Sequence, residues 1–179
     1  MRDGRSLTVD DILTPELRSW IGRSSGPFAL PEEISASDVR RYVEATGDRN
    51  PLWLDDAFAQ AHGHRTRVVP PALIAELSWR VQDDRESRGR AWHADLPLPA
   101  GYSDARNAEL DIDWLRPVYV GDRLTLRHRI TDIQVREGRA GLGVYMTRES
   151  AYARAGEDVA HVRQTIVRLP RQDSTPGRS

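Results

Sequence analysis

The sequence predicts an α+β domain in which an antiparallel sheet wraps around a long buried helix. Between residues 72 and 81, apolar side chains occupy nearly every side of a predicted helix, as in helices that are buried in a core. From residue 105 onward the hydrophobic period changes to two, and three long strands in succession predict an antiparallel meander. A buried helix and a sheet that share one core form an α+β domain.

Length and composition limit the function classes. A chain of 179 residues suits one domain, and the absence of cysteine excludes disulfides, cysteine-bound metals and thiol nucleophiles. The net charge of −1 gives no support for binding nucleic acid. No apolar run approaches the ~18 residues of a membrane span, and residues 1–8 do not resemble a secretory signal. We therefore expect a cytoplasmic protein that binds neither nucleic acid nor membrane.

Three segments are predicted along the chain. Residues 1–25 form an N-terminal helical extension, with a helix over 9–21. Residues 26–170 form the domain itself. Residues 171–179 are polar and rich in glycine and proline, which predicts a disordered tail.

The first half of the domain begins with a short strand over 28–34. A helix over 36–46 follows, with Ser35 as its N-cap and Gly47 just after its end, and a second short helix covers 55–61. Pro71 suits the first position of the buried helix. The stretch that follows, 82–104, is too long for an ordinary connection and is expected to be a functional flap or a partner contact.

The second half of the domain reads as strands. Leu110, Ile112 and Trp114 share one strand face, which the buried helix is expected to cover. Alternate side chains of the next strand also face the core. These are Leu124, Leu126, His128 and Ile130. Turns at Glu137-Gly138 and Gly156 separate further strands over 140–153 and 159–169.

Three stretches resemble motifs of one protein family. Residues 47–55 read G-D-R-N-P-L-W-L-D, similar to G-D-x-N-P-[IL]-x-x-D. Residues 68–73 read V-V-P-P-A-L, and residues 116–124 read R-P-V-Y-V-G-D-R-L, similar to R-P-V-x-x-G-D-x-L. On these motifs the chain resembles MaoC-like dehydratases, or (R)-specific enoyl-CoA hydratases, in the branch named for an N-terminal MaoC or fatty-acid-synthase-like dehydratase domain. The resemblance implies the hotdog fold.

The resemblance implies a reaction that interconverts 2-enoyl and (R)-3-hydroxyacyl thioesters. A carboxylate and an imidazole flank the water, and a backbone N–H at the start of the buried helix polarises the thioester carbonyl. The carboxylate matches Asp48, which is the candidate catalytic residue, with a role in tying down its loop as the alternative. The imidazole position is Trp53, and the N–H position is Pro71, which has no N–H. Two of the three catalytic features are therefore missing.

Further residues match positions around the thioester in this family. We predict substrate-binding roles for Asn50, Trp53, Pro71, Ala72, Arg65 and Arg67. Trp53 is interpreted as a wall of the pocket or a subunit contact. The two arginines precede the buried helix and suit the phosphates of CoA or of a carrier-protein pantetheine, with a solvated basic loop as the alternative.

The histidines outside these motifs give weaker signals. His62 and His64 are interpreted as exposed loop residues rather than a metal pair, and no metal is predicted. His128 and His161 lie on apolar strand faces, where we expect satisfied core or interface residues. His93, in the long connection, is a candidate replacement for the missing imidazole.

The sequence therefore predicts a MaoC-like hydratase or dehydratase that acts on acyl-CoA or acyl-carrier-protein thioesters without a cofactor. We expect a homodimer, or a heteromer in which a second hotdog chain supplies the catalytic pair, because the resemblance implies assembly through sheets. One alternative is a non-enzymatic acyl-thioester-binding or scaffold protein. Another is a hotdog thioesterase that uses Glu76, although a Glu76 that faces solvent or a partner is the simpler interpretation.

Overall fold

The computed structural model describes residues 7–80 and 96–171, with residues 79 and 80 as backbone only. Helices α1 to α6 are Val9–Ile12, Pro15–Arg18, Ala36–Thr46, Pro51–Leu54, Asp56–Ala61 and Pro71–Glu76, and a 3₁₀ turn follows at Leu77–Arg80. Strands β1 to β5 are Ser24–Ala29, Asp104–Trp114, Thr125–Gly138, Gly141–Arg154 and Glu157–Leu169. Within the described ranges, no helix has the length and apolar character to cross a membrane.

The five strands form one antiparallel sheet in the order β1-β3-β4-β5-β2. β3, β4 and β5 are neighbours in both sequence and space, which confirms the predicted meander. Ala155 (φ 50°) and Gly156 (φ 86°) both have left-handed backbone, as a two-residue hairpin turn of type I′ requires. The predicted inward-facing residues at and before β3 are all buried, namely Leu124, Leu126, His128 and Ile130.

Helix α6 covers one half of the inner face of the sheet. Pro71 is its first residue, as predicted, because the N–H that proline lacks would have no intrahelical partner there. Leu73 and Ile74 are buried in one cluster with the strand residue Tyr152. The predicted hotdog layout of helix and sheet is confirmed. The helix is shorter than predicted, however, since the 3₁₀ turn replaces the α-helix after Glu76.

A second hydrophobic cluster covers the other half of this face. Ile12 and Leu17, from α1 and α2, are fully buried there against β3, β4 and β5. The single helix predicted over 9–21 is two short helices, because the Thr14 side chain caps a new start at Pro15. The N-terminal extension therefore contributes to the core of the sheet.

Parts of two predicted segments lie outside the described residues. Of the long connection over 82–104, residues 96–104 are described, and Leu96 and Tyr102 are buried in the second cluster. The tail prediction falls almost wholly on residues 172–179, which are not described. The division into extension, domain and tail stays a prediction.

Strand β1 begins four residues earlier and ends five residues earlier than the predicted range of 28–34. Pro31 has no N–H to donate to a sheet ladder, so the strand ends before it. Gly26 allows the early start, because its φ of 97° favours glycine and a Cβ there would lie 2.6 Å from the carbonyl oxygen of Leu126.

Strand β2 differs from its prediction in burial. Ile112 and Trp114 pack partly buried against the cluster around α6, but Leu110 remains 37% exposed. The expectation that the helix covers this whole strand face is therefore wrong for Leu110. The reason is that β2 lies at the edge of the sheet, with β5 as its single neighbour among the described strands, so no further strand flanks Leu110 on its other side.

Helix α3 has the predicted signals at both ends. Ser35 Oγ accepts from the N–H of Asp38 at 3.2 Å, and Asp38 Oδ2 accepts from the N–H of Ser35 at 2.9 Å, which completes a capping box. Gly47 ends the helix with a left-handed φ of 72°. These ends fix where the loop that follows α3 begins.

We expect Ser35→Ala to lower the free energy of unfolding by about 1 kcal/mol, because it removes the side-chain cap. Chemical denaturation measures the change. Ser37→Ala is the matched control, since Ser37 is exposed inside the same helix and alanine favours helix there. Equal losses in both variants would contradict the capping role.

Candidate functional site

The predicted catalytic segment is a tight loop between α3 and α4. Asn50 caps α4, because its Oδ1 accepts from the N–H of Leu52 at 3.0 Å, and Pro51 takes the first helical position. Asp48 Oδ1 accepts from the N–H of Asn50 at 3.2 Å. Two Asx side chains, two residues apart in the sequence, thus hold the turn into α4.

Trp53 stands at the position of the missing imidazole and contacts Asp48 directly. Its indole Nε1–H donates to Asp48 Oδ2 at 3.0 Å, and Trp53 is only 8% exposed. An indole nitrogen is a donor only, so it cannot take a proton from water and return it. Both carboxylate oxygens of Asp48 are therefore engaged within the loop, and Trp53 offers no proton transfer.

Backbone pairing places this loop beside the start of α6. The N–H of Val68 donates to the carbonyl of Leu52 at 3.0 Å, and the chain then passes through two prolines into the helix. Pro71 and Ala72 are partly exposed there. The two predicted substrate positions on α6 are thus accessible, but Pro71 has no N–H to offer a carbonyl.

Tyr42 is a residue near this loop that the sequence reasoning missed. Burial raises the pKa of Tyr42, and the negative charges of Asp48 and Glu76 raise it further. The phenol therefore stays protonated at neutral pH, close to two carboxylates. Glu76 is exposed at the end of α6, in agreement with the simpler interpretation of this residue.

Arg65 is held by an ion pair with Asp122, whose carboxylate is only 5% exposed. Its guanidinium also lies 4.6 Å from the ring centroid of Tyr119. Arg154 donates to the other oxygen of Asp122 at 2.8 Å. Two arginines share one carboxylate, so the cluster has a net positive charge, and the Arg65 side chain is 57% exposed. Two sequence signals pointed to this cluster: the motif over 116–124, which contains Asp122, and the prediction of Arg65 as a phosphate contact.

Arg67 points to a different carboxylate. Its Nε lies 3.2 Å from Asp56 Oδ2, although the alignment is too poor for a hydrogen bond. Hydrogen bonds from the Thr66 hydroxyl and the Arg67 backbone hold the pKa of Asp56 below its usual value. The Arg67 side chain is 25% exposed, so it is less accessible to a ligand than Arg65. The structure thus brings Asp48, Asn50 and Trp53 together, and it places Arg65 and Arg67 in separate ion pairs.

The loop histidines make local contacts. The ring of His62 stacks on Phe58 at 4.0 Å, and His64 Nδ1 lies 3.4 Å from the hydroxyl of Tyr119. Across residues 7–80 and 96–171, no three His, Asp or Glu side chains are grouped to hold a metal ion. His93, the candidate replacement imidazole, lies outside the described residues.

The two strand histidines have different environments. His128 is buried, and its Nδ1 lies 2.9 Å from Ser150 Oγ, which agrees with the prediction of a satisfied core residue. His161 lies on the outer face of the sheet, where its side chain is 49% exposed and its Nε2 lies 3.0 Å from Asp158 Oδ2. Its predicted place on an apolar face is wrong, because the neighbouring residues Ala160 and Val162 take the inward positions.

A groove of about 640 Å³ crosses the outer face of the sheet. Outward residues of several strands line it, including Arg127, Glu149 and Arg163. None of the predicted site residues borders this groove. It therefore lies apart from the loop around Asp48.

Comparison with known proteins gives one family match and several relatives. The family model described as "FAS1-like, dehydratase domain region" matches residues 19–162. A probable enoyl-CoA hydratase alpha subunit from Thermomonospora curvata is 28% identical over 161 residues, which is 86% of this chain and 50% of that protein. The chain thus spans half the length of this relative. A UPF0336 protein from Streptomyces coelicolor is 31% identical over 142 residues, which is 79% of this chain and 87% of that protein.

Solved structures with a similar fold include a chain of the ChsH1-ChsH2 complex from Mycobacterium tuberculosis. The match has a TM-score of 0.65 and 25% sequence identity, and it covers 82% of this chain and 89% of that chain.

Proposed function

Because the chain belongs to the FAS1-like dehydratase region family of MaoC-like hotdog proteins, we propose that it is the subunit of a heteromeric hydratase or dehydratase that lacks the catalytic imidazole. The observation that carries this proposal is the hydrogen bond from the Trp53 indole to Asp48. A partner hotdog chain supplies the carboxylate and the imidazole. This chain shapes the acyl pocket and stabilises that partner.

The chemistry explains why one carboxylate is insufficient. Adding water to a 2-enoyl thioester places the hydroxyl on C3 and a proton on C2, so one group must remove a proton from water while another donates one. Each such acid or base contributes about 10²–10⁴-fold to the rate. Asp48 accepts from Trp53 and from the Asn50 backbone, and neither an indole N–H nor a peptide N–H acts as a general acid or base near neutral pH. The site in this chain therefore holds a fixed carboxylate without its catalytic counterpart.

The remaining site residues suit a role in binding. Arg65 is exposed and belongs to a cluster with a net positive charge, so it fits a phosphate of CoA or of a carrier-protein pantetheine. Arg67 is a secondary contact, because it is more buried and already faces Asp56. Trp53 is buried in one apolar cluster with Leu73 of α6, so it suits an apolar wall for an acyl thioester that binds near the start of that helix.

Two relatives support a partner subunit. One is called a hydratase alpha subunit, and another similar chain was solved within a two-component complex. These names describe those proteins. Together with the missing imidazole, they favour a heteromer over an enzyme that is complete in one chain.

We expect the purified chain alone to hydrate crotonyl-CoA no faster than an Asp48→Asn variant does. Loss of the enoyl-thioester absorbance measures hydration, and a thiol reagent in a parallel assay measures thioester hydrolysis. Robust hydration that Asp48→Asn abolishes would contradict the proposal. Hydrolysis that Glu76→Gln abolishes would instead support the thioesterase alternative, for which Glu76 is placed near Tyr42.

A further inference from the structure

Strand β2 forms an open edge of the sheet in the described part of the chain, with β5 as its single neighbour. The backbone groups along such an edge are free to pair with a strand of another chain. The inner face of β2 carries Leu110, Ile112 and Trp114, which continue the apolar inner face of the sheet toward the edge. Leu110 is 37% exposed there, so this apolar surface reaches the open side.

The outer face of the same strand carries three exposed carboxylates at every second position. We call Glu109, Asp111 and Asp113 the acidic stripe. Among residues 7–80 and 96–171, none of the three forms an ion pair, although Asp111 lies opposite Arg163 in the ladder. Negative charge therefore lines the edge where a partner strand would pair.

The stripe acts against pairing of β2 with a second copy of itself. In an antiparallel ladder, residues directly opposite each other share a face. A symmetric pair centred on Asp111 places Asp111 opposite itself and Glu109 opposite Asp113. Centring on Leu110 or Ile112 still places one carboxylate opposite another, and like charges directly opposite destabilise a ladder. Arg106, nearer the start of the strand, is bound to Asp104 at 2.8 Å in its own chain.

We propose that the acidic stripe selects a different chain as the partner of β2. This inference rests on the proposed function, in that it describes the surface by which the subunit meets its partner. The partner strand carries apolar residues inward and Arg or Lys at alternate outward positions. Attraction to those residues and repulsion between copies of the stripe together give the specificity.

Self-association of each purified protein by itself tests the repulsion between two copies of the acidic stripe. We expect neutralising the stripe with Glu109→Gln, Asp111→Asn and Asp113→Asn to strengthen homodimerisation at least tenfold at low ionic strength, as measured by analytical ultracentrifugation. The difference in homodimer dissociation constant between this variant and the parent should become smaller in about 1 M salt, where surface charges are screened. The control, Glu32→Gln with Glu33→Gln and Glu137→Gln, changes the net charge equally at exposed positions away from the edge and should leave self-association unchanged.

Mixing the parent with a charge-reversed variant tests whether the acidic stripe selects a different chain as partner. The variant with Glu109→Lys, Asp111→Lys and Asp113→Lys offers a complementary edge to the parent chain. We expect native mass spectrometry of an equimolar mixture to show mixed dimers at least tenfold above the statistical ratio. Mixed dimers at the statistical ratio, monomers in every sample, or a parent homodimer that neutralisation leaves unchanged would each overturn the proposal. Asp111→Asn alone repeats the test if the triple variants lose their folded circular dichroism spectrum. Because no assay here measures hydration, the proposed function can stand when this inference fails.

Discussion

Trp53→His alone is expected to leave the chain with little hydratase activity, whereas Trp53→His with Pro71→Gly is expected to be about 10²-fold more active than that single variant. The first substitution places an imidazole five residues after Asp48, in a position where the indole now donates to the carboxylate at 3.0 Å. The thioester carbonyl still lacks its donor, because Pro71 has no N–H. Loss of one such donor costs about 10²–10³ in rate, so both substitutions are needed.

The matched control for the imidazole is Trp53→Gln with Pro71→Gly. It removes the same buried indole and restores the same backbone N–H, but an amide cannot transfer protons. Hydration of crotonyl-CoA is measured for every variant after circular dichroism confirms that each folds, since Trp53 is only 8% exposed and its loss removes core packing. Full activity of Trp53→His alone would show that Pro71 is no obstacle. An inactive folded double variant would place the missing features elsewhere.

The predictions that the structure confirms rest on local sequence signals, whose effect does not depend on the rest of the fold. The capping box at Ser35, the left-handed Gly47 and the proline at the first position of α6 each act within a few residues. The meander was predictable because side chains alternate along each strand, and His128 follows that alternation into the core. The exposure of Leu110 was not predictable, since it depends on the place of β2 in the strand order, which no local pattern encodes.

The candidate site was predicted only in part. The motif placed Asp48, Asn50 and Trp53 in one loop, and the missing imidazole followed directly from the identity of Trp53. The sequence could not show that the indole donates to Asp48, because this depends on the rotamer and the turn geometry. The ion pairs of Arg65 with Asp122 and of Arg67 with Asp56 join residues far apart or in different turns. Their charges made phosphate binding plausible, but only the structure identifies their carboxylate partners.

His128 lies beside a buried arginine on the inner face of the sheet. Arg148 is 4% exposed and donates to Ser78 Oγ at 3.1 Å and to Gln164 Oε1 at 2.6 Å. Burial, and then the positive charge of Arg148, lower the pKa of His128 from 6.5 to about 3. Burial likewise lowers the pKa of Arg148 to about 10. At neutral pH the arginine is therefore charged and the histidine neutral.

Acidification is expected to destabilise the fold through His128. Between pH 6.5 and 3 the unfolded chain binds a proton at this residue that the folded chain does not, so stability falls as the pH falls through that window. The free energy of unfolding falls by about 1.4 kcal/mol per pH unit, which amounts to on the order of 3 kcal/mol by pH 4.5.

Denaturant unfolding of the parent and of His128→Gln at a series of pH values measures this contribution of His128. Glutamine retains a hydrogen-bonding group for Ser150 but does not titrate. His161→Gln, which removes an exposed histidine of β5, is the control and should retain the parent's steep loss. If His128→Gln loses stability with acid as steeply as the parent, protonation of buried carboxylate partners, rather than of His128, governs the acid sensitivity.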